Sequence, residues 1–163
     1  MDLENMSVDD FLKKDEENQN TEKENLEQRF NRERSEWSDK IKFMSEKMKD
    51  IFKVSELMTS IYTERQLAVE YYHLLFSVLA KVSKKYRKQW AEKYDFYTYK
   101  SQKRFPNEKL KEIQILSEIE EIVEKRELLE NQLKFINNTI QTIDNLIYGI
   151  KYKVEIEQIS RGR

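Results

Sequence analysis

The run Ile136-Asn137-Asn138-Thr139-Ile140-Gln141-Thr142-Ile143-Asp144-Asn145-Leu146-Ile147-Tyr148-Gly149-Ile150, residues 136–150, places isoleucine alternately four and three residues apart. Extending the same steps back to Ile115 and on to Val154 lands on Ile119, Ile122, Arg126, Leu129 and Leu133, and eleven of the twelve positions are apolar. A spacing of about 3.5 residues held over more than five heptads is the seam of a coiled coil. Isoleucine at both kinds of seam position favours trimers and higher forms in parallel coils. Leu128, Phe135 and Leu146 widen the stripe, as a ring or barrel of helices would require. The seam residues Ile122, Leu129, Leu133, Ile136, Ile140, Ile143, Ile147 and Ile150 are therefore expected to hold an oligomer together. Gly149 costs about 1 kcal/mol in a helix, and the expectation is that a neighbouring chain approaches closely there.

Upstream, Phe105-Pro106-Asn107 contains the only proline. Its ring disfavours helix in the preceding residue, so a break is expected near 101–107, with Asn107 capping the final helix over 107–160. Between Trp37 and about Lys103, apolar residues recur at helical spacing: Ile41, Met44, Met48, Ile51 and Phe52, then Leu57, Met58, Ile61 and Tyr62. The stretch from Leu67 to Ala80 is apolar nearly all round and reads as the core, with His73, the single histidine, as a satisfied core residue. Residues 1–36 carry too few apolar side chains to offset the entropy of ordering, and read as a flexible acidic arm. A short helix is expected within that arm over Val8–Lys14, capped by Ser7. The arm is free to dock elsewhere or to meet a protein partner.

Two glycines and one proline in 163 residues leave little punctuation for hairpins, so the fold class is all-α, a few long helices with a C-terminal coiled coil that oligomerises. The chain is 38% hydrophobic and 37% charged, with a mean hydropathy of -0.90. No apolar run is long enough to span a bilayer, and the acidic start is unlike a signal peptide, so a cytoplasmic location is expected, that of the host cell if the gene is a phage's. Cysteine is absent, which removes disulfides, thiolate zinc sites and cysteine nucleophiles together. With one histidine and no glycine-rich phosphate loop, the sequence offers no converging catalytic set, and neither an enzyme nor a cofactor is expected. The acids Glu118, Glu120, Glu121, Glu124 and Glu127 read as a solvated face of the final helix.

The net charge of -1 conceals an uneven distribution. Residues 1–36 hold 12 acids and 6 bases, whereas 81–111 hold 3 acids and 11 bases. Within the basic segment, cations alternate with aromatics from Lys81 through Tyr86, Trp90, Tyr94 and Tyr97 to Phe105. Cations neutralise phosphates and release counterions, while aromatic faces stack on unpaired bases. The combination suits single-stranded DNA and points to Lys84, Lys85, Arg87, Lys88, Lys93, Tyr97, Lys100, Lys103 and Arg104. The competing reading makes Trp90, Tyr94 and Tyr97 the buried stripe of an amphipathic helix and the lysines its wet side.

Three features resemble the UvsY-type recombination mediators of tailed bacteriophages. They are the start, with Leu3-Glu4 and Phe11-Leu12-Lys13-Lys14-Asp15; the stretch Lys93-Tyr94-Asp95-Phe96-Tyr97-Thr98; and the tail from Leu129 to Ser160. The resemblance implies a ring-shaped homo-oligomer that binds single-stranded DNA, helps displace a single-strand-binding protein and loads a RecA-like recombinase. It puts Lys93 at a DNA-contacting basic position and Tyr97 on the family's second aromatic. Ala91 stands where it implies a second basic residue, and Tyr99 where it implies a glycine. The other expectations from sequence are a structural coiled-coil oligomer, such as a virion or assembly component, and a chaperone-like adapter that binds other helices.

Overall fold

The computed structural model describes residues 7–11, 25–49 and 54–162, and these are mainly helical with no strand among them. Four helices follow in order: α1 over Leu26–Lys47, α2 over Val54–Asp95, α3 over Glu108–Glu118 and α4 over Glu120–Arg161. The end of α2 continues as a π-helical turn over Phe96–Lys100, closed by Ser101 N–H donating to the Phe96 carbonyl at 2.8 Å. Leu3, Glu4, Leu12 to Asp15, Ile51 and Phe52 lie outside the described residues, as does the expected end of the first helix at Lys14.

The helix starts are written locally. Asn25 and Gln28 form a reciprocal capping box, with Gln28 N–H to Asn25 Oδ1 at 2.8 Å and Asn25 N–H to Gln28 Oε1 at 3.1 Å. This cap explains why α1 begins at Leu26 and takes in residues 26–36, which composition alone assigns to the arm. Leu26, Phe30, Glu33, Trp37 and Met44 then repeat at helical spacing on its buried side. Ser7 caps the turn at 8–11 as expected, accepting from Asp10 N–H at 3.1 Å. Phe11 in that turn is fully buried; Arg29 lies over its ring at 4.2 Å, and Asp9 pairs with Lys81 at 2.8 Å. The break near 101–107 is present, and Asn107 accepts from Leu110 N–H at 2.9 Å. That cap starts the short α3; a second break at Ile119, where φ is -115° and ψ is 22°, separates it from α4.

Helices α1, α2 and α4 pack as a bundle. Arg34 bonds Gln132 and Lys153 bonds Met48, so α1 runs parallel to α4. Arg65 pairs with Asp144 and Arg126 lies over Tyr86, while Lys40 pairs with Glu64 and Tyr71 bonds Glu33, so α2 runs antiparallel to both. The isoleucine seam faces inward on this bundle: Ile115, Ile119, Ile122, Leu129, Leu133, Ile136, Ile143, Ile147 and Ile150 are buried, and Ile140 and Val154 partly so. The seam's partners here are α1 and α2 of the same chain. Its one polar member, Arg126, sets its guanidinium 4.8 Å over the Tyr86 ring. A buried polar cluster crosses the middle: Glu33 accepts from Tyr71 Oη and from Gln132 Nε2 at 3.2 Å, and pairs with Arg29 at 3.0 Å.

Three further expectations are corrected. His73 is exposed, because α2 buries only one stripe, through Ala68, Tyr71, Leu75 and Val78. Phe76, on the solvent side of the same stretch, is 57% exposed. The close approach at Gly149 is to Met48 of the same chain, whose Cε lies 3.1 Å from where a Cβ would stand. Glu118 belongs to α3 and is ion-paired rather than free on an outer face.

Candidate nucleic-acid interface

The basic segment occupies the second half of α2, the π turn and the loop to α3. A helix advances about 100° per residue, so Lys84 and Lys93, nine residues apart, point about 180° away from each other. Lys84, Lys85, Arg87 and Lys88 stand on the outer face of α2 and are exposed. Lys93 and Tyr97 face α3, while Lys100, Lys103 and Arg104 are exposed around the tip. The expected nucleic-acid residues thus form an outer group, an inner pair and a tip group.

The inner pair is engaged by α3. Lys93 Nζ lies 2.7 Å from Glu118 Oε2, and the Tyr97 hydroxyl donates to Glu118 Oε1. Gln114 Nε2 donates to the same Oε1 at 3.1 Å. The hydrogen bonds from Lys93 first, and then from Tyr97, hold the Glu118 carboxyl at about 2, well below its ordinary value. The bond to Glu118 pushes the Tyr97 phenol up. Trp90 and Tyr94 stack with ring centroids 4.9 Å apart, and with Tyr97 they pack against the core. Lys111, buried beneath the tip, sits 4.1 Å over the Tyr94 ring, 3.1 Å from Thr98 Oγ1 and 3.0 Å from Glu108. Its bond to Glu108 raises its pKa and lowers that of the acid. Beside these contacts an open cleft of about 520 Å³ runs between Tyr97, Thr98, Lys103, Phe105 and Lys111.

Other cations have no acidic partner. Among the described residues Lys84, Lys85, Arg87, Lys100 and Arg104 enter no ion pair, whereas Lys88 lies 3.8 Å from Glu92. Lys103 donates to Gln114 at 2.7 Å and covers the Phe105 ring at 5.2 Å. Sequence reasoning passed over Phe96 and Tyr99 as stacking residues, yet they are 46% and 81% exposed. The π turn, one residue wider than an α turn, displaces the helical register at this point. It also overlooked Lys111 and Gln114. Lys111 lies four residues before Ile115 on the same helix face, one residue off the step of three, to Glu112, that the seam's alternation gives.

No group of three or more potential metal ligands exists among the described residues, and no helix there is long and apolar enough to cross a membrane. Comparison of the chain with protein-family models, with curated proteins and with solved structures finds no match.

Proposed function

We propose that this protein binds single-stranded DNA through the tip and outer face of α2 and acts without catalysis as a recombination mediator. In this reading it is a self-associating scaffold that presents the strand to a RecA-like recombinase while a single-strand-binding protein is displaced. The observation that carries it is the coincidence of five cations without ion pairs, Lys84, Lys85, Arg87, Lys100 and Arg104, with the exposed rings of Phe96 and Tyr99. Phosphate attraction and base stacking, the two needs of sequence-independent strand binding, are then met within one hairpin. The resemblance to UvsY-type mediators supplies the recombinase and the displaced protein as partners.

With the seam buried inside the chain, the surface that best suits self-association is the solvent side of the end of α4. The outward positions Glu130, Lys134, Asn138, Gln141 and Asn145 are polar, but the next four, Tyr148, Tyr152, Ile156 and Ile159, are large, apolar and 60–69% exposed. An antiparallel crossing near Lys153 sets Tyr148 against Ile159 of a second copy, Tyr152 against its Ile156 and Lys151 against its Glu155. Such a twofold contact complements itself in shape and charge.

The second reading, a structural coiled-coil oligomer, is favoured by the internal pairing of Lys81, Lys88, Lys93 and Lys111 with acids of the same chain. Fluorescence anisotropy with labelled oligo(dT) and a duplex of equal length separates the two. The mediator reading expects a preference for the single strand at low salt. Absence of binding to either would leave the structural reading in its place.

A further inference from the structure

Three donors from two helices converge on one surface carboxylate at the tip. Lys93 and Tyr97 come from α2 and the π turn, and Gln114 from α3, all onto Glu118. An ammonium, a phenol and an amide around two oxygens is also a donor set suited to a phosphate. Glu118 is the last residue of α3, where the helix dipole disfavours a negative charge, so the helix alone gives no reason for an acid there. The chain breaks at the next residue, Ile119, whose N–H is shared between the carbonyls of Ile115 at 3.2 Å and Leu116 at 3.3 Å. The Glu118 side-chain contacts are separate from the backbone bonds that close α3. The site is open, with side-chain exposures of 43% for Lys93 and 26% for Glu118.

We infer that Glu118 is a built-in competitor for the strand: its carboxylate holds the place of a phosphodiester, and a bound strand displaces it to reach Lys93, Tyr97 and Gln114. The inference rests on the strand-binding reading and adds a gate to it. The unpaired cations of the outer face and tip bind without opening the gate, whereas engagement of Lys93 requires the swap. Binding is thereby set below what those cations together with a free Lys93 would give, which suits a scaffold that must pass its strand on.

The test compares oligo(dT) affinity across a salt series for the wild type, Glu118→Gln, Lys93→Gln and the double variant, with Glu121→Gln as a control for net charge. Glu118→Gln is expected to bind roughly two- to fivefold more tightly, the range set by one exposed ion pair. The double variant is expected to lose that gain, and Lys93→Gln to lower the salt slope by about 0.7, the share of one phosphate contact on a single strand. Circular dichroism confirms that each variant is folded. A wild type that binds while Glu118→Gln gains no more than Glu121→Gln would overturn the gate and leave strand binding intact. Binding by neither wild type nor Glu118→Gln would overturn both.

Discussion

The Tyr71 hydroxyl donates to the buried Glu33 carboxylate where α1, α2 and α4 meet, and Gln132 of α4 completes the contact. Tyr71 and Glu33 are almost wholly enclosed, yet no buried side-chain polar atom among the described residues lacks a partner. A charge so placed costs desolvation unless its partners are fixed, so the cluster sets the register of three helices as well as their stability.

Tyr71→Phe removes one donor and leaves Glu33 to Arg29 and Gln132. The expected cost is about 1–3 kcal/mol, measured by urea unfolding. Retention of wild-type stability would show that the cluster is replaceable.

Tyr71 also predicts an alkaline dependence. Burial first, and then the Glu33 charge, push its phenol above the ordinary value of 10.0. A group whose pKa is raised on folding stabilises fully below its unfolded value and loses that contribution as pH rises beyond it. Stability is therefore expected to fall above about pH 10, and less steeply in Tyr71→Phe. Equal alkaline slopes would contradict this assignment.

At the acid end the same linkage acts through Glu118, whose carboxyl is held at about 2. A depressed carboxylate stabilises the fold above its ordinary value of 4.5 and loses that contribution as pH falls towards 2. The melting-temperature difference between wild type and Glu118→Gln is expected to shrink through that window. A carbon-detected titration of Glu118 with a midpoint near 4.5 would contradict it.

Under the proposed self-association, the seam and the outward stripe of α4 have separable roles. Ile136→Ala, in the core, is expected to cost about 2–5 kcal/mol through the cavity it leaves without altering molar mass. Tyr152→Glu with Ile156→Glu is expected to yield monomers of unchanged fold in light scattering. The opposite pattern, dissociation by Ile136→Ala alone, would return the oligomer contact to the seam.

Much of the fold was legible because it rests on local signals. The isoleucine periodicity, Pro106 and the caps at Ser7 and Asn107 each act within a few residues. What periodicity could not say is which helices face the seam: a strip that fits copies of itself fits α1 and α2 equally well, and the chain folding back supplies them at high effective concentration. The start of α1 was missed because composition averages over Leu26 and Phe30, whereas the Asn25 and Gln28 box acts at two residues. The basic segment was visible as charge, but its division was not. Lys84 and Lys93 look alike in sequence, and only the helical phase and the distant Glu118 separate them.

The central claim is most directly tested by the salt dependence of oligo(dT) binding, followed by anisotropy for the wild type and for Lys84→Ala/Lys85→Ala/Arg87→Ala. Contacts from Lys84, Lys85, Arg87, Lys100 and Arg104 together with Lys93 predict a log–log slope of about -4 for the wild type and one shallower by about 2 in the triple variant, with the single strand preferred over duplex throughout. A wild type that fails to bind at low salt, or that binds duplex equally well, would contradict the account.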